Sequence, residues 1–285
     1  MMHPRTILGV SAAALALTVS ACGSSSDSDS SSSASTTRAA AKVTPPGAIA
    51  SSGKLIFCSD ISYPPEEFYD GTTPVGSDIE IGTAIGQQLG VKAQFDNTGF
   101  DGIIPALQGK KCDAIISGMN DTPERAKQVD FVDYLNIGQS FMVQKGNPAG
   151  IESLADVAGK TVSVEVGTTN ADFLKAQSKK LEAQGKKPIT VQTFPKDTDA
   201  ANALRTNKVD AYFGDAPVVA YYIQKAPDAF DFGGTALNPV RVGIALRKGD
   251  ALKAPIAQAI HNLYADGTID KILAKWKLSE SALKS

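Results

Sequence analysis

Short apolar runs alternate with stretches of helical periodicity from Lys54 onward. The runs have the length of buried strands, and the stretches between them repeat apolar residues every three or four positions, as amphipathic helices do. This alternation predicts an α/β fold with largely parallel sheets. The predicted strands are LIFCS, VKAQF, CDAIIS, TVSVEV, ITVQTF, VDAYFG and RVGIAL. The predicted helices begin near Asp78 and Phe100, cover TPERAK, 169–183 and 198–206, and end with a pair after residue 251.

Two segments of the chain resemble each other. LQGKKCDAIISG begins at Leu107, LRTNKVDAYFGD begins at Leu204, and both place Lys and Asp-Ala at the same offsets before a strand. Together with the alternation, this repeat indicates two similar α/β lobes. Ligands of such sheets bind beyond the carboxyl ends of the strands. The strand ends here are polar, small or acidic, at 59–60, 117–120, 165–169 and 214–215.

Residues 1–21 have the pattern of an export signal, with a short polar start and an apolar stretch too short to span a bilayer comfortably. The stretch ends at Cys22, which resembles a bacterial lipobox; an ordinary secretory signal with an incidental cysteine is the other interpretation. The following residues are rich in Ser, Ala and Thr and predict a flexible tether over 22–49. We therefore expect an extracytoplasmic lipoprotein, anchored by lipid at Cys22 to the outer face of the cell membrane.

The chain has 285 residues, a net charge of −2 and two histidines. The near-neutral charge argues against a nucleic-acid partner. His3 lies near the start, His261 lies on a predicted helix, and no Cys-x-x-Cys pair occurs, so we expect no metal and no cofactor. Cys58 and Cys112 would meet oxidising conditions outside the cytoplasm, where they either pair or remain two separate buried thiols.

The strand ends carry the groups that an α-amino acid needs. Arg125 closes SGMNDTPER and offers a guanidinium to a carboxylate, whereas Asp215 ends VDAYFG and offers a carboxylate to an ammonium. Thr168 and Thr169 stand at a predicted helix start, which is a site for anions. Each of these residues taken alone is equally typical of a surface arginine or a helix cap.

The chain resembles the family 3 extracellular solute-binding proteins, the capture subunits of ABC importers for amino acids. The resemblance runs from about residue 50 to the end of the chain. It is carried, in order, by LIFCSDISYPPEEF, PVGSDIEIGTAIGQQLG, FDGIIPALQGKKCDAIISGMNDTPERAKQVDFVDYL, VEVGTTNADFL, VDAYFGD and ADGTIDKILAKW.

The resemblance implies a two-lobed periplasmic-binding-protein-like fold (type II), hinged by two crossing strands near 139–144 and 240–246. Lobe 1 would take residues 50–138 and 241–285, and lobe 2 residues 139–240. The resemblance also implies that Arg125, helped by Thr168 and Thr169, binds the ligand carboxylate and that Asp215 binds the α-ammonium. The other residues that it places at the ligand are Asp60, Tyr63, Phe100, Ser117, Gly118, Asn120 and Glu165.

Tyr63 and Phe100 would form aromatic walls of the side-chain slot. From the residues alone, Tyr63 is equally a turn residue packed on two prolines, and Phe100 a helix start packed into the core. Three positions depart from the family pattern: Glu66 replaces the usual Phe, Asn120 replaces Thr or Ser, and Glu165 precedes the Gly-Thr-Thr turn. These departures affect the choice of ligand rather than the fold.

Counting the charged groups around the ligand narrows the set of candidate amino acids. Once Arg125 and Asp215 bind the two ends of an α-amino acid, Asp60 and Glu165 remain, and an unpaired buried carboxylate is unfavourable. A cationic side chain such as that of arginine, lysine or ornithine would balance them. A polar neutral amino acid such as glutamine is the alternative.

The predicted function is therefore capture of a polar, possibly cationic, amino acid by hinge closure and its delivery to an ABC permease, by a monomer without enzymatic activity. One alternative is a secreted enzyme on the same fold that resembles cyclohexadienyl dehydratase. Such enzymes have an acidic residue where Ala171 stands here. The second alternative is a ligand-sensing lipoprotein that feeds a receptor.

Overall fold

The structure is a computed structural model, and it describes residues 41–237 and 239–283. The predicted export signal, Cys22 and most of the predicted tether lie outside these residues. No helix within the described ranges is long and apolar enough to cross a membrane.

Strands and helices alternate through most of the described chain. The strands are β1 (Lys54–Ser59), β2 (Phe68–Asp70), β3 (Thr73–Val75), β4 (Lys92–Asn97), β5 (Ala114–Ile115), β6 (Val129–Ile137), β7 (Gln139–Gln144), β8 (Thr161–Glu165), β9 (Thr190–Phe194), β10 (Ala211–Asp215), β11 (Phe230–Phe232) and β12 (Val240–Arg247). The helices are α1 (Gly47–Ser52), α2 (Ser77–Gln88), α3 (Ile103–Gln108), α4 (Pro123–Ala126), α5 (Thr169–Ala183), α6 (Asp197–Arg205), α7 (Ala216–Lys225), α8 (Lys253–Ala265) and α9 (Thr268–Trp276), with 3₁₀ turns at Phe100–Gly102 and Ser279–Ser281. All seven predicted strands are present.

The first sheet has the strand order β4–β1–β5–β12–β6. Strand β1 is parallel to β4 and β5, whereas β12 is antiparallel to β5 and β6. Apolar residues of α2, α8 and α9 pack in one cluster with the sheet, including Ile81, Ile256 and Leu273. A second cluster contains Ile103 and Leu107 of α3 together with Ile115 of β5. The helical periodicity in the sequence therefore marks the faces that cover this sheet.

The second sheet has the strand order β11–β7–β10–β8–β9. Strands β8, β9 and β10 are parallel, and β7 is antiparallel to β10 and β11. Ala171 and Leu174 of α5 pack in one cluster with the sheet, and Ala200 and Leu204 of α6 pack in another. Tyr63 belongs to this last cluster although it comes from the loop after β1.

The chain passes between the sheets twice. Gly138 alone separates β6 from β7, and residues 233–239 lead from β11 back to β12. The strands at these crossings run antiparallel to their neighbours, so both sheets are mixed where the sequence predicted largely parallel ones. Strand β6 was not predicted because Asp130, Asp133 and Asn136 interrupt its apolar residues.

The folded part begins earlier than the predicted tether allows. Val43 and Ile49 are 9% and 8% exposed and belong to the core cluster of the first sheet. The backbone N–H groups of Lys42 and Val43 donate to the carbonyl oxygen of Gln88, at 2.8 and 3.0 Å. The tether prediction for 22–49 therefore extends too far, because these two apolar residues gain burial against α2 and its neighbours.

Cys58 and Cys112 form a disulfide in the structure, with their Cα atoms 5.6 Å apart. Of the two alternatives left by the sequence, the structure has the paired one. The bridge joins the end of β1 to the segment before β5, and both cysteines are buried among Ile103, Leu107 and Ile115. It therefore fixes two strands whose ends carry predicted ligand residues.

We expect loss of the disulfide to lower the free energy of unfolding by about 2–5 kcal/mol, because the bond closes a long loop in the unfolded chain. The two cysteines are 54 positions apart. Urea denaturation with and without a reductant measures the change. The Cys58→Ala, Cys112→Ala double variant is the control, since its transition should not respond to the reductant. An identical midpoint for the reduced and oxidised natural protein would contradict the expectation.

Candidate functional site

A cavity lies between the two sheets, where β1, β5, β8 and β10 end. The walls of this cavity lie close together in the structure, so little free space remains between them. The structure brings together all eleven residues that the family resemblance placed at the ligand, and it adds Glu67 and Asn170. The residues around the cavity are Asp60, Tyr63, Glu67, Phe100, Ser117, Gly118, Asn120, Arg125, Glu165, Thr168, Thr169, Asn170 and Asp215.

Arg125 is held in place from several sides. Its own backbone N–H donates to the hydroxyl of Thr122, the residue that caps α4, at 3.2 Å. Its Nη1 donates to the carbonyl oxygen of Asn120 at 3.0 Å and its Nη2 to that of Gly167 at 3.2 Å. The guanidinium lies 5.3 Å from the ring centre of Phe100. These bonds use two of five N–H donors, so the group can still bind a carboxylate.

The two threonines at the start of α5 have different roles. The Thr168 hydroxyl accepts from the N–H of Ala171 at 3.1 Å and donates to the carbonyl oxygen of Glu165 at 2.8 Å, so it caps the helix. The Thr169 hydroxyl donates to Oδ1 of Asn120 at 2.5 Å. Thr169 thus links the second sheet to the first across the cavity, and the capped helix start remains an anion site.

Two glycines are required where the segments meet. Gly167 has φ +78°, and a Cβ atom there would lie 2.9 Å from Cα of Asp101. Gly118 has φ +49°, and a Cβ atom there would lie 3.2 Å from the ring of Tyr63. Both positions combine a left-handed backbone with a close approach, so a side chain at either one would push the walls of the cavity apart.

Asp215 is buried at the end of β10, with 2% of its surface exposed. Its Oδ1 accepts from Nδ2 of Asn170 at 3.2 Å, and Asn170 in turn accepts from the amide of Gln139. The hydroxyl of Tyr63 accepts from the backbone N–H of Asp215 at 3.3 Å. Burial raises the pKa of Asp215 to about 6.

Asp60 has both carboxylate oxygens in use. Oδ1 accepts from the hydroxyl of Ser62 at 2.7 Å, and Oδ2 accepts from the backbone N–H of Phe100 at 2.7 Å. The backbone N–H of Asp60 donates to the Ser117 hydroxyl at 2.9 Å. Burial raises the pKa of Asp60, and these bonds oppose the rise. Asp60 therefore positions the turn that carries Phe100, in addition to contributing charge to the cavity.

Glu165 differs from Asp60 and Asp215 because one of its oxygens is not used. It is 3% exposed, and its Oε1 has no hydrogen-bond partner within the described residues. Burial raises its pKa well above the ordinary value, and the nearby charges of Asp197 and Asp60 raise it further. A buried carboxylate oxygen without a donor is unfavourable, so Glu165 would gain from a cationic or donating ligand, as would Glu67, whose Oε2 also has no partner among the described residues.

Residues 55–279 match the sequence pattern of the bacterial extracellular solute-binding proteins, family 3. This chain belongs to that family. The match covers both sheets and every residue around the cavity, and it confirms the resemblance inferred from the sequence.

Individual relatives agree with this assignment. The L-cystine-binding protein TcyJ of Escherichia coli (strain K12) is 30% identical over 232 residues, which are 80% of this chain and 84% of TcyJ. An ancestral arginine-binding protein, solved with arginine bound, is 38% identical with a TM-score of 0.73 over 79% of this chain and 98% of that one. AncCDT-1, an ancestral amino acid-binding protein and a precursor of cyclohexadienyl dehydratase, is 35% identical with a TM-score of 0.73 over 80% and 97%. These similarities confirm the two-lobed type II periplasmic-binding fold.

Two buried acids support the cavity of this solute-binding protein, Glu67 at its wall and Asp78 behind it. Glu67 accepts from the Ser117 hydroxyl at 2.7 Å, and Asp78 accepts from the Tyr134 hydroxyl at 2.6 Å and from the N–H of Gly118 at 2.9 Å. Burial raises the pKa of both carboxyl groups, well above the ordinary value for Glu67. Within the described chain, the two acids thus orient the residues that form the floor of the cavity.

Glu66 is the least satisfied of the buried acids. It is fully buried, and neither carboxylate oxygen has a partner among the described residues; the hydroxyl of Ser77, also fully buried, is without a partner too. Burial raises the pKa of Glu66 well above its ordinary value, and the nearby charges of Asp78 and Asp215 raise it further. Burial therefore favours the neutral form of Glu66, the residue at which the sequence departs from the Phe expected by the family resemblance.

The charges around the cavity do not balance. Asp60, Glu165 and Asp215 face it together with Glu67, whereas Arg125 is the one cation among the described residues that line it. No group of three His, Cys, Asp or Glu residues in the described ranges is arranged to hold a metal ion.

Three functional residues escaped the sequence interpretation. Asn170 follows the Gly-Thr-Thr turn directly, and its position in the first turn of α5 was the signal that could have indicated it. Glu67 lies beside Glu66 in a tract that was interpreted only for its departure from the family pattern. Asp197 begins α6 and looks like an ordinary helix-start acid in the sequence, although it is 1% exposed.

We expect Glu66→Gln to stabilise the ligand-free protein at pH 8 and to leave its stability unchanged near pH 4. The folded-state pKa of Glu66 is raised, so its contribution to stability is present below the unfolded-state pKa and is lost as the pH rises through the folded-state pKa. The amide removes this loss, which is worth about 1.4 kcal/mol per pKa unit.

Urea denaturation at the two pH values measures the effect of Glu66→Gln. Glu182→Gln is the matched control, because Glu182 is exposed on α5. Destabilisation by Glu66→Gln that is larger at pH 8 than near pH 4 would show that the carboxylate is ionised and paired in the folded protein, against the expectation.

Proposed function

We propose that this protein captures a cationic amino acid, such as arginine, lysine or ornithine, and delivers it to the permease of an ABC importer. The observation that carries the proposal is the charge of the closed cavity: one fixed guanidinium faces several buried carboxylates, of which Glu165 has an oxygen without a partner. A zwitterion with a cationic side chain brings one negative and two positive charges, which suits this arrangement.

Each part of the ligand has a matching group. The α-carboxylate would bind Arg125 and the N–H groups at the start of α5, where Thr169 supports the geometry and Thr168 caps the helix. The α-ammonium would bind Asp215, with the backbone at Ser117 and Gly118 assisting. The side chain would extend between aromatic walls toward the free oxygen of Glu165. The walls are Tyr63 and Phe100, and Asn120 closes the cavity beside Arg125.

Capture works by closure of two lobes, for which we propose residues 50–138 with 241–285 and residues 139–240, hinged at Gly138 and at 233–239. Three hydrogen bonds connect the sheets in the structure: Arg125 to Gly167, Thr169 to Asn120, and Asp215 to Tyr63. All three lie at the cavity, so the same residues that would bind the ligand also join the lobes. The closed form would then be the one that the permease recognises, because a ligand shifts the population toward the state it binds better.

The relatives support an amino acid as the ligand class. The solved ancestral relative holds arginine, and the E. coli relative is named for L-cystine. AncCDT-1 is itself an amino acid-binding protein, although its descendants include a dehydratase. Here Ala171 is fully buried where the dehydratases carry an acid, so we propose binding without catalysis for this chain.

The location proposed from residues 1–40 completes the function. Cleavage before Cys22 and lipid attachment there would hold the folded part near the outer face of the membrane, by the remaining tether. The extracytoplasmic setting agrees with the family and with the disulfide. A monomer anchored in this way meets its permease by diffusion in the plane of the membrane.

A calorimetric panel on the purified protein tests the ligand class. We expect arginine, lysine and ornithine to bind and to raise the thermal transition by mass action, whereas glutamate and aspartate should not bind, because the cavity already has excess negative charge. Glutamine and cystine belong in the panel as the neutral alternatives. Binding of glutamate or aspartate without any response to the three cationic amino acids would overturn the proposal.

We expect Arg125→Ala to weaken ligand binding by about 2–5 kcal/mol, because it leaves the ligand carboxylate and the helix start without their charge partner. The thermal transition of the ligand-free protein should change little, since the side chain bonds only two carbonyl oxygens. Arg205→Ala is the control, because Arg205 is exposed at the far end of α6. A variant that unfolds would mean that Arg125 is structural.

A further inference from the structure

Asp197 is a second carboxylate directly behind Glu165. It is 1% exposed and does not line the cavity, and it begins α6 three positions after Phe194, the residue of β9 that pairs with Glu165 of β8. Its own oxygens accept from two tyrosine hydroxyls, that of Tyr212 at 2.5 Å and that of Tyr222 at 2.9 Å. Glu165 therefore lies at the cavity wall, and Asp197 lies behind it.

No lysine or arginine neutralises this pair in the described part of the chain. Neither acid has an ion pair, and the charges that act on them are negative. Lys196, the neighbour of Asp197 in the chain, is exposed and acts on Asp60. The titratable groups that face the pair from the surrounding elements are Asp60, Tyr63, Glu66, Asp101, Tyr212, Asp215 and Tyr222.

Two neighbouring carboxylates that are both buried and have no cationic partner do not ionise independently of each other. The hydroxyls of Tyr212 and Tyr222 stabilise a charge on Asp197, whereas Oε1 of Glu165 has no such donor among the described residues. These donors compensate about one negative charge of the two. Burial raises the pKa of Asp197 to about 7 and that of Glu165 well above its ordinary value, in agreement with this geometry.

We propose that Glu165 and Asp197 hold one proton between them in the ligand-free cleft, and that the cationic end of the bound amino acid displaces this proton into the solvent. The inference rests on the proposed function. Asp197 is then a positioning residue that never touches the ligand but sets the protonation of Glu165. A neutral side chain of the same shape has no charge to replace the proton, so it leaves the pair protonated.

The proposal predicts the direction in which ligand affinity changes with pH. Binding of a cationic amino acid releases a proton, so its affinity falls as the pH drops, by up to about tenfold for each pH unit below the titration of the pair. Binding of a neutral amino acid releases no proton from this pair, so its affinity falls only where Asp215 itself becomes protonated, near pH 6. Selectivity for cationic over neutral ligands therefore increases with pH.

Titration calorimetry tests this at pH 7 in two buffers of different ionisation enthalpy, with arginine and its neutral isostere citrulline as probes. For the natural protein we expect release of up to about one proton for each arginine bound and none for citrulline. For Asp197→Asn we expect at least half of this release to be lost and the fall in arginine affinity to move to lower pH. Asp199→Asn removes an exposed carboxylate from the same helix turn and should match the natural protein.

Glu165→Gln provides a second route to the same result if Asp197→Asn does not fold. It should release no proton with either probe and should lose the preference for arginine over citrulline. Equal proton counts for arginine and citrulline in the natural protein would overturn the inference while leaving amino-acid capture intact. An unchanged count in a folded Asp197→Asn variant would overturn the role of Asp197. Failure of both probes and of the whole amino-acid panel to bind would overturn the proposed function and the inference with it.

Discussion

Negative charge enclosed between two lobes is the constraint on which this site depends. Asp60 comes from the first sheet, whereas Glu165 and Asp215 come from the second, so closing the cleft brings like charges together and removes water from them. Both effects oppose closure, because desolvation and repulsion each disfavour the ionised carboxylates. Arg125 compensates part of this charge from the first lobe by reaching the carbonyl oxygen of Gly167 in the second. In the proposed complex a cationic ligand would compensate the rest, and in this way the charge balance would couple ligand identity to closure.

The fold supplies the geometry for this coupling. Parallel strands in each sheet end on the side of the cavity, so the residues after β1, β5, β8 and β10 meet without any long loop. The start of α5 adds backbone N–H groups, and Gly167 lets this turn approach Asp101 of the other lobe. The disulfide holds β1 and β5 at one spacing, and thereby fixes Asp60 and Ser117 relative to each other. Each lobe therefore presents a rigid half of the site.

The sequence predicted much of this arrangement and failed where the determining contacts are distant in the chain. Apolar periodicity was sufficient to predict β1, α2, α5 and the strand ends, because each depends on the pattern of residues that are close together in the chain. Strand β6 was missed because its burial comes from pairing with β12, more than a hundred positions later. The role of Asp197 depends on hydroxyls of Tyr212 and Tyr222, which lie 15 and 25 positions away, and on the pairing of β9 with β8 at Glu165. The difference between Thr168 and Thr169 likewise follows from a helix cap and a contact to Asn120 that two identical letters do not reveal.

Buried acids with raised pKa values also occur next to the substrate in enzymes that use acid–base catalysis. The role proposed for these acids in ligand binding is different from a catalytic role. A general acid or base must reach the reacting atom of the substrate, and it must be free to exchange its proton with that atom. Asp197 lies behind the cavity wall between two tyrosines, and Glu66 and Asp78 lie in the layer behind the floor, so none of the three lines the cavity. Glu165 does line it, but in the proposed complex a guanidinium or ammonium would hold its charge and occupy its free oxygen. Since such cations keep their proton near neutral pH, the same interaction that would select the ligand would also prevent Glu165 from acting on it.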